Sequence, residues 1–241
     1  MRFIIMNCLS SYPLLNKALQ TKLIILIDPD KYNQELVKLA NDCNVYCIFV
    51  GGSVLNKNTL EKTVKSIKTI TTIPVIIFPG DETQISKYAD GILILSLLSG
   101  RNAEYLIGKH VKAAIKIRQS KLKAIPTGYI LVDGGKKSTT QKVTKSKPLT
   151  DKKEIVNTAI AGELLGKQLI YLEAGSGASQ TLTNSVIKAV KQNISIPLIV
   201  GGGIDSEEKV KKILLSKPDY IVIGNAFEKN PNLLTRIKPF F

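Results

Sequence analysis

The stretch Pro197–Ser206, PLIVGGGIDS, reads as a buried strand that runs into a glycine turn and opens a helix. Leu198, Ile199 and Val200 are apolar without alternation, as in a parallel strand covered on both faces. Pro197 stands just before them, where a missing N–H costs little. Gly201, Gly202 and Gly203 let backbone approach an anion closely, and Ser206 before Glu207 and Glu208 marks a helix amino end. The same grammar recurs along the chain. Apolar runs occupy Leu23–Ile27, Val45–Val50, Val75–Phe78, Ile92–Leu95, Tyr129–Val132, Leu169–Leu172 and Tyr220–Ile223, most of them separated by helical periodicity. Eight runs in 241 residues predict one (β/α)8 TIM barrel spanning residues 1–241. Asn56 or Asn58 is expected to cap a helix over Leu60–Ile70, and Asp151 one over Glu154–Leu165 that ends at Gly166. Pro79–Asp90 is barely long enough for one short helix, so the third helix is expected to be replaced by a loop or short helix. Val132–Asp151, basic and rich in Thr and Ser, reads as a mobile loop over the barrel mouth.

Composition narrows the function. The chain has 34 basic and 19 acidic residues, net +15, and 6% aromatics. The lysines are scattered and no aromatic–basic stripe of the base-stacking kind interrupts them, so nucleic acid is not an expected partner. The charge suits an acidic membrane surface or a diphosphate ligand. No apolar run reaches the ~18 residues that cross a bilayer. Met1–Leu9 reads as a leading strand or cap, not a signal peptide, which points to the cytoplasm, with membrane association left open. Cys8, Cys43 and Cys47 cannot all pair and read as buried free thiols in a reducing compartment. His110, the one histidine, lies near the middle of an expected Ala103–Arg118 helix, as a surface or interface residue without chemistry. Helix surfaces offer no clear apolar patch.

The loops after the last three strands carry the chemistry. Gly201–Ile204 and Gly224-Asn225-Ala226 follow strands seven and eight, where barrels commonly build a phosphate cup from N–H groups and helix amino ends. Strand six ends in YLEAGSGA, Tyr171–Ala178. Alternation puts Tyr171 and Glu173 on one face, toward the mouth, where Glu173 can act as general base. Gly175 and Ser176 add donors. Asp28, after strand one, and Ser53, after Gly51-Gly52, suit Mg2+, which completes its octahedron with waters and substrate phosphate. Helix capping is the alternative for Asp28, and Asp30 reads as a turn or cap residue. Glu173 is the one carboxylate expected to face the cup, unlike the opposed acid and base of isomerases or the lysine of aldolases. A flavin-binding barrel shares the GGGI and IGNA turns and stays an alternative. Gly134-Gly135-Lys136-Lys137 resembles a P-loop only superficially, because Lys137 stands where Ser or Thr is needed.

LIDPDK (Leu26–Lys31), VGGS (Val50–Ser53), GKH (Gly108–His110), YLEAGSGA, PLIVGGGI and VIGNAFE (Val222–Glu228) occur in an order that resembles the geranylgeranylglyceryl phosphate synthase family, which includes the bacterial PcrB proteins. The resemblance runs from about Lys22 to Glu228, and IPTGYILVDGG (Ile125–Gly135) is similar to the bacterial-type branch. It implies a modified barrel without a regular third helix. It implies Mg2+-dependent transfer of a polyprenyl group, geranylgeranyl with heptaprenyl as competitor, from its diphosphate to the sn-3 hydroxyl of sn-glycerol 1-phosphate. It implies that Asp28 and Ser53 hold the metal. Tyr171, Leu172, Glu173, Ala174, Gly175, Ser176, Gly202, Gly203, Gly224 and Asn225 would hold glycerol 1-phosphate. Catalysis would fall to Glu173 as base together with Asp28, tail length would be limited by Tyr105, and the protein would be a dimer or hexamer.

Overall fold

Eight parallel strands close into a barrel in the computed structural model, which describes residues 14–52, 55 and 59–241. They are β1 (Lys22–Ile27), β2 (Cys47–Val50), β3 (Val75–Ile77), β4 (Gly91–Leu97), β5 (Lys123–Leu131), β6 (Leu169–Glu173), β7 (Leu198–Gly201) and β8 (Tyr220–Ile223). Each pairs with its neighbours in sequence, and β1 pairs with β8, so the sheet has no open edge. The helices between them are α1 (Gln34–Asp42), α2 (Thr59–Ile70), α3 (Lys109–Ser120), α4 (Thr139–Thr144), α5 (Lys152–Leu164), α6 (Asn184–Asn193), α7 (Glu207–Leu214), α8 (Asn225–Lys229) and α9 (Asn232–Ile237).

Strand alternation sorts the apolar residues into two layers. Ile25, Ile48, Ile77, Ile130, Leu172 and Val200 point outward beneath helix residues such as Val37, Val64 and Ile187. Ile24, Phe49, Ile76, Leu93, Tyr129, Tyr171 and Ile199 fill the barrel interior. Leu14 joins that inner layer, and the Tyr220 hydroxyl donates to the Asn16 carbonyl at 2.9 Å. Close by, the fully buried Asp219 accepts from the N–H groups of Ala18 and Leu198, both at 2.9 Å, and pairs with Lys191 at 2.9 Å.

Asp151 and Ser206 cap α5 and α7 as expected, accepting from Glu154 N at 2.7 Å and Lys209 N at 3.3 Å. Asn56, Asn58, Cys8 and Met1–Leu9 lie outside the described residues. Cys43 and Cys47 are free and buried. No helix among the described residues is long and apolar enough to cross a membrane.

Three elements differ from the sequence reading or sharpen it. β5 begins at Lys123, six residues before the apolar run, and contains Pro126. The Pro126 carbonyl accepts from Gln168 N at 2.8 Å, so its absent N–H faces a place where β6 has not yet begun and deprives no partner. The β3–β4 connection holds no helix. It is pinned instead by the buried Gln84, whose amide donates to the Gly52 carbonyl at 2.8 Å and accepts from Gly80 N at 3.0 Å. Val132–Asp151 is not a featureless loop, because α4 forms within it, held by a reciprocal Ser138–Gln141 capping box.

Candidate functional site

Glu173 is the last residue of β6, and alternation turns it and Tyr171 to the inner face, at the carboxyl end of the barrel. Both are buried. The Tyr171 hydroxyl donates to the Glu173 carboxylate, and Gly175 N–H donates to its Oε1 at 2.7 Å. Burial pushes the Glu173 carboxyl up to about 7, against the pull of those two donors. The glycines after β7 make the room. A Cβ at Gly201 would overlap the Tyr171 hydroxyl and lie 2.8 Å from Glu173 Oε2. One at Gly202 would overlap Glu173 Oε1 and lie 2.7 Å from Gly175 N. Gly202 and Gly203 also hold φ of 86° and 70°, left-handed backbone that favours glycine. After β8, Asn225 Nδ2 donates to Ser176 Oγ at 2.9 Å and ties two of the loops together.

These loops surround a cavity of about 510 Å³. Tyr171, Glu173, Ser176, Gly202, Gly203, Gly224, Asn225 and Asp28 all line it. Leu172 and Ala174 do not, because alternation sends their side chains outward into the layer beneath the helices. Gly175 supports Glu173 from behind, its N–H already committed. Ser53 lies outside the described residues. Capping falls to Asp28, not Asp30: Asp28 Oδ1 accepts from Asp30 N at 3.0 Å at the start of a 3-10 turn. Asp28 Oδ2 lies 3.7 Å from Lys31 Nζ, which bonds Glu228 Oε2 at 3.0 Å. Lys31 and Glu228 line the cavity too, although their motifs, LIDPDK and GNAFE, were read without them. Asp205 does likewise, so Glu173 is not the one carboxylate at the cup. Among the described residues no group of three His, Cys, Asp or Glu could hold a metal ion. Asp28 offers one carboxylate there, a donor set that suits Mg2+ arriving with a diphosphate, since that ion usually takes one or two carboxylates plus substrate oxygens.

A second, apolar cavity of about 130 Å³ adjoins the first, and Gly52, Phe78, Tyr129 and Thr140 line both. Its walls are Leu93, Leu95 and Leu97 of β4, Ile85 of the helix-less connection, Ala113 and Ile117 of α3, and Val143 of α4. At the junction the Phe78 ring stands 5.5 Å from Tyr171 and 6.1 Å from Tyr129, with Tyr129 and Tyr171 5.3 Å apart. The Thr140 hydroxyl donates to Tyr129. Tyr105 crosses the groove and donates to the Val143 carbonyl at 3.1 Å. A π-helical turn, Glu104–Gly108, lies within one continuous helix from Ala103 through α3 to Ser120, and His110 sits near its middle, as expected. It is half-buried and lines the groove, with Nε2 3.3 Å from Ser96 Oγ, to which Lys167 donates at 2.7 Å. Burial, then the Lys167 charge, holds its pKa below the usual value.

The PcrB family matches residues 16–239 of this chain. The geranylgeranylglyceryl phosphate synthase of Zunongwangia profunda is 50% identical over 221 residues, covering 89% of this chain and 92% of that protein. The Pyrococcus furiosus protein of the same name is 42% identical over 211 residues, covering 85% and 83%. The crystal structure of (S)-3-O-geranylgeranylglyceryl phosphate synthase from Thermoplasma acidophilum in complex with substrate sn-glycerol-1-phosphate superposes with a TM-score of 0.86 at 34% identity, covering 92% of each chain.

Proposed function

The chain belongs to the PcrB family, and from that premise we propose that it transfers a polyprenyl group, geranylgeranyl first, from its diphosphate to the sn-3 hydroxyl of sn-glycerol 1-phosphate. One observation carries the reading. A polar cup walled by glycines and an apolar groove meet at a single aromatic junction, and the buried Glu173 lies in the cup beside it.

Each part has a task. Backbone N–H groups around Gly202, Gly203 and Gly224 take the glycerol phosphate dianion, as concave amide nests do. Glu173 orients the glycerol and accepts the proton of the attacking hydroxyl, a contribution of about 10²–10⁴-fold. The tail lies in the groove beside β4 and α3, and the diphosphate lies toward Asp28 and Lys31. Mg2+ held by Asp28 and Ser53 would neutralise charge on the departing diphosphate. As the allylic carbon–oxygen bond breaks and the new ether bond forms, positive charge grows on the prenyl carbon. The faces of Phe78 and Tyr129 at the junction stabilise that charge by about 0.5–2 kcal/mol. Holding carbon and oxygen in line supplies much of the remaining rate. The protein is taken to act as a homo-oligomer, dimer or hexamer, near a membrane that holds its donor.

Incubation with radiolabelled sn-glycerol 1-phosphate, Mg2+ and prenyl diphosphates of several lengths tests this. Label should pass into the organic phase, most with the geranylgeranyl donor. Label that stays aqueous with every donor overturns the proposal.

A further inference from the structure

The helix that walls the groove has a second apolar face, turned outward. Ile107, Val111 and Ile115 recur four residues apart through the π-turn and α3, and they are 58%, 67% and 71% exposed. Single exposed apolar residues are ordinary, but three aligned on one helix face form a patch, contrary to the expectation that none exists. Ala113 and Ile117, on the other side of the same helix, line the groove.

Cations frame the patch. Lys112 pairs with Glu104, but Lys116 and Arg118 of α3 are exposed and have no ion-pair partner among the described residues. The same holds for Lys142 and Lys145 at α4, which Tyr105 joins to the α3 side of the groove. Val143, between those lysines, is 40% exposed and also lines the groove.

We propose that the outer face of α3, with the basic rim of α4, docks on an anionic lipid bilayer and sets the groove mouth against the membrane. An apolar helix face flanked by Lys and Arg rests in the interface, with its apolar side chains among the acyl chains and its cations at the headgroups. The net charge of +15 favours that approach. A second copy of the chain is the competing occupant of this face, and oligomer size in the test below separates it from a bilayer. The inference rests on reading the groove as the polyprenyl site, because that reading makes the bilayer the source of the donor.

The test uses the full chain and two exposed substitutions outside the groove, Val111→Glu and Ile115→Glu together. Sedimentation with phosphatidylcholine vesicles, with and without phosphatidylglycerol, reads docking directly. The parent protein should sediment with the anionic vesicles, less as salt rises, and the double variant should bind about tenfold more weakly. Turnover of a short water-soluble prenyl diphosphate should be equal in the two proteins, while turnover of a long donor embedded in vesicles should fall in the variant. Equal sedimentation of both proteins overturns the docking proposal. So does a variant that drops to a smaller oligomer in light scattering while still binding vesicles, which would make the stripe a contact between copies. No turnover of the soluble donor by the parent would instead remove the groove reading, whatever the vesicles show.

Discussion

In the proposed reaction the chemistry concentrates in one side chain, Glu173. Glu173→Gln keeps the shape and the Gly175 contact but cannot take a proton, so glycerol phosphate binding should persist while kcat falls about 10²–10⁴-fold. Binding calorimetry beside steady-state assays separates the two, and full turnover in the variant would dismiss Glu173 as base. The raised pKa gives a second expectation. The folded carboxyl holds its proton up to about 7, against an ordinary 4.5, so turnover should climb as pH passes through about 7. For stability the sign is opposite. Between those values the folded chain keeps a proton that the unfolded chain has lost, so this group's contribution is complete below 4.5 and gone above about 7. The loss amounts to roughly 3 kcal/mol, and Glu173→Gln should flatten it in denaturant titrations at about pH 5 and about pH 8. Residues of the cup were legible where glycine or a strand-end carboxylate stood alone in its role, as at Gly202 and Glu173. Leu172 and Ala174 were swept in with their motif, although the alternation that placed Glu173 inward sends them outward. Phe78 and Tyr129 were missed because their value comes from rings on different strands meeting, which no local pattern records.

Among the elements, α4 and the β3–β4 connection shape the groove. Tyr105 both fills the groove and bonds α4 at Val143. Tyr105→Ala should let longer donors, heptaprenyl among them, react. Tyr105→Phe keeps the bulk and loses the bond, so it should keep the preference for tail length. Product lengths resolved by chromatography decide between them, and an unchanged preference in Tyr105→Ala would strip the residue of that role. The missing third helix was legible from chain length alone, since Pro79–Asp90 has too few residues to cross the barrel wall as a regular helix. α4 was not. Six residues of polar sequence carry little helical preference, and the element exists through its capping box and through contacts with residues far away in sequence. The early start of β5 was hidden by Pro126, whose harmlessness depends on where a neighbouring strand begins.

At the scale of the molecule, the barrel separates reaction from stability. The cup and groove gather at the carboxyl ends of the strands, while Asp219, at the amino end of β8, gathers backbone N–H groups of Ala18 and Leu198 and the ammonium of Lys191. Asp219→Asn should cost about 2–3 kcal/mol in denaturant unfolding, toward the low end for a broken buried pair because Lys191 is a quarter exposed. KM for both substrates should not move, and a large change in KM would show that the two ends are coupled.

The shared wall of Phe78, Tyr129 and Thr140 has a kinetic corollary. In the proposed reaction two substrates arrive separately, one in each chamber; diphosphate leaves on its own, and the prenylated glycerol phosphate departs as one molecule bent around a corner. Emptying either chamber then requires emptying the other, so departure becomes slower than bond making. Mixing enzyme with both reactants on the millisecond scale should release one rapid equivalent of product per site before the slower steady rate, and a trace that is linear from the first turnover would put the slow step earlier.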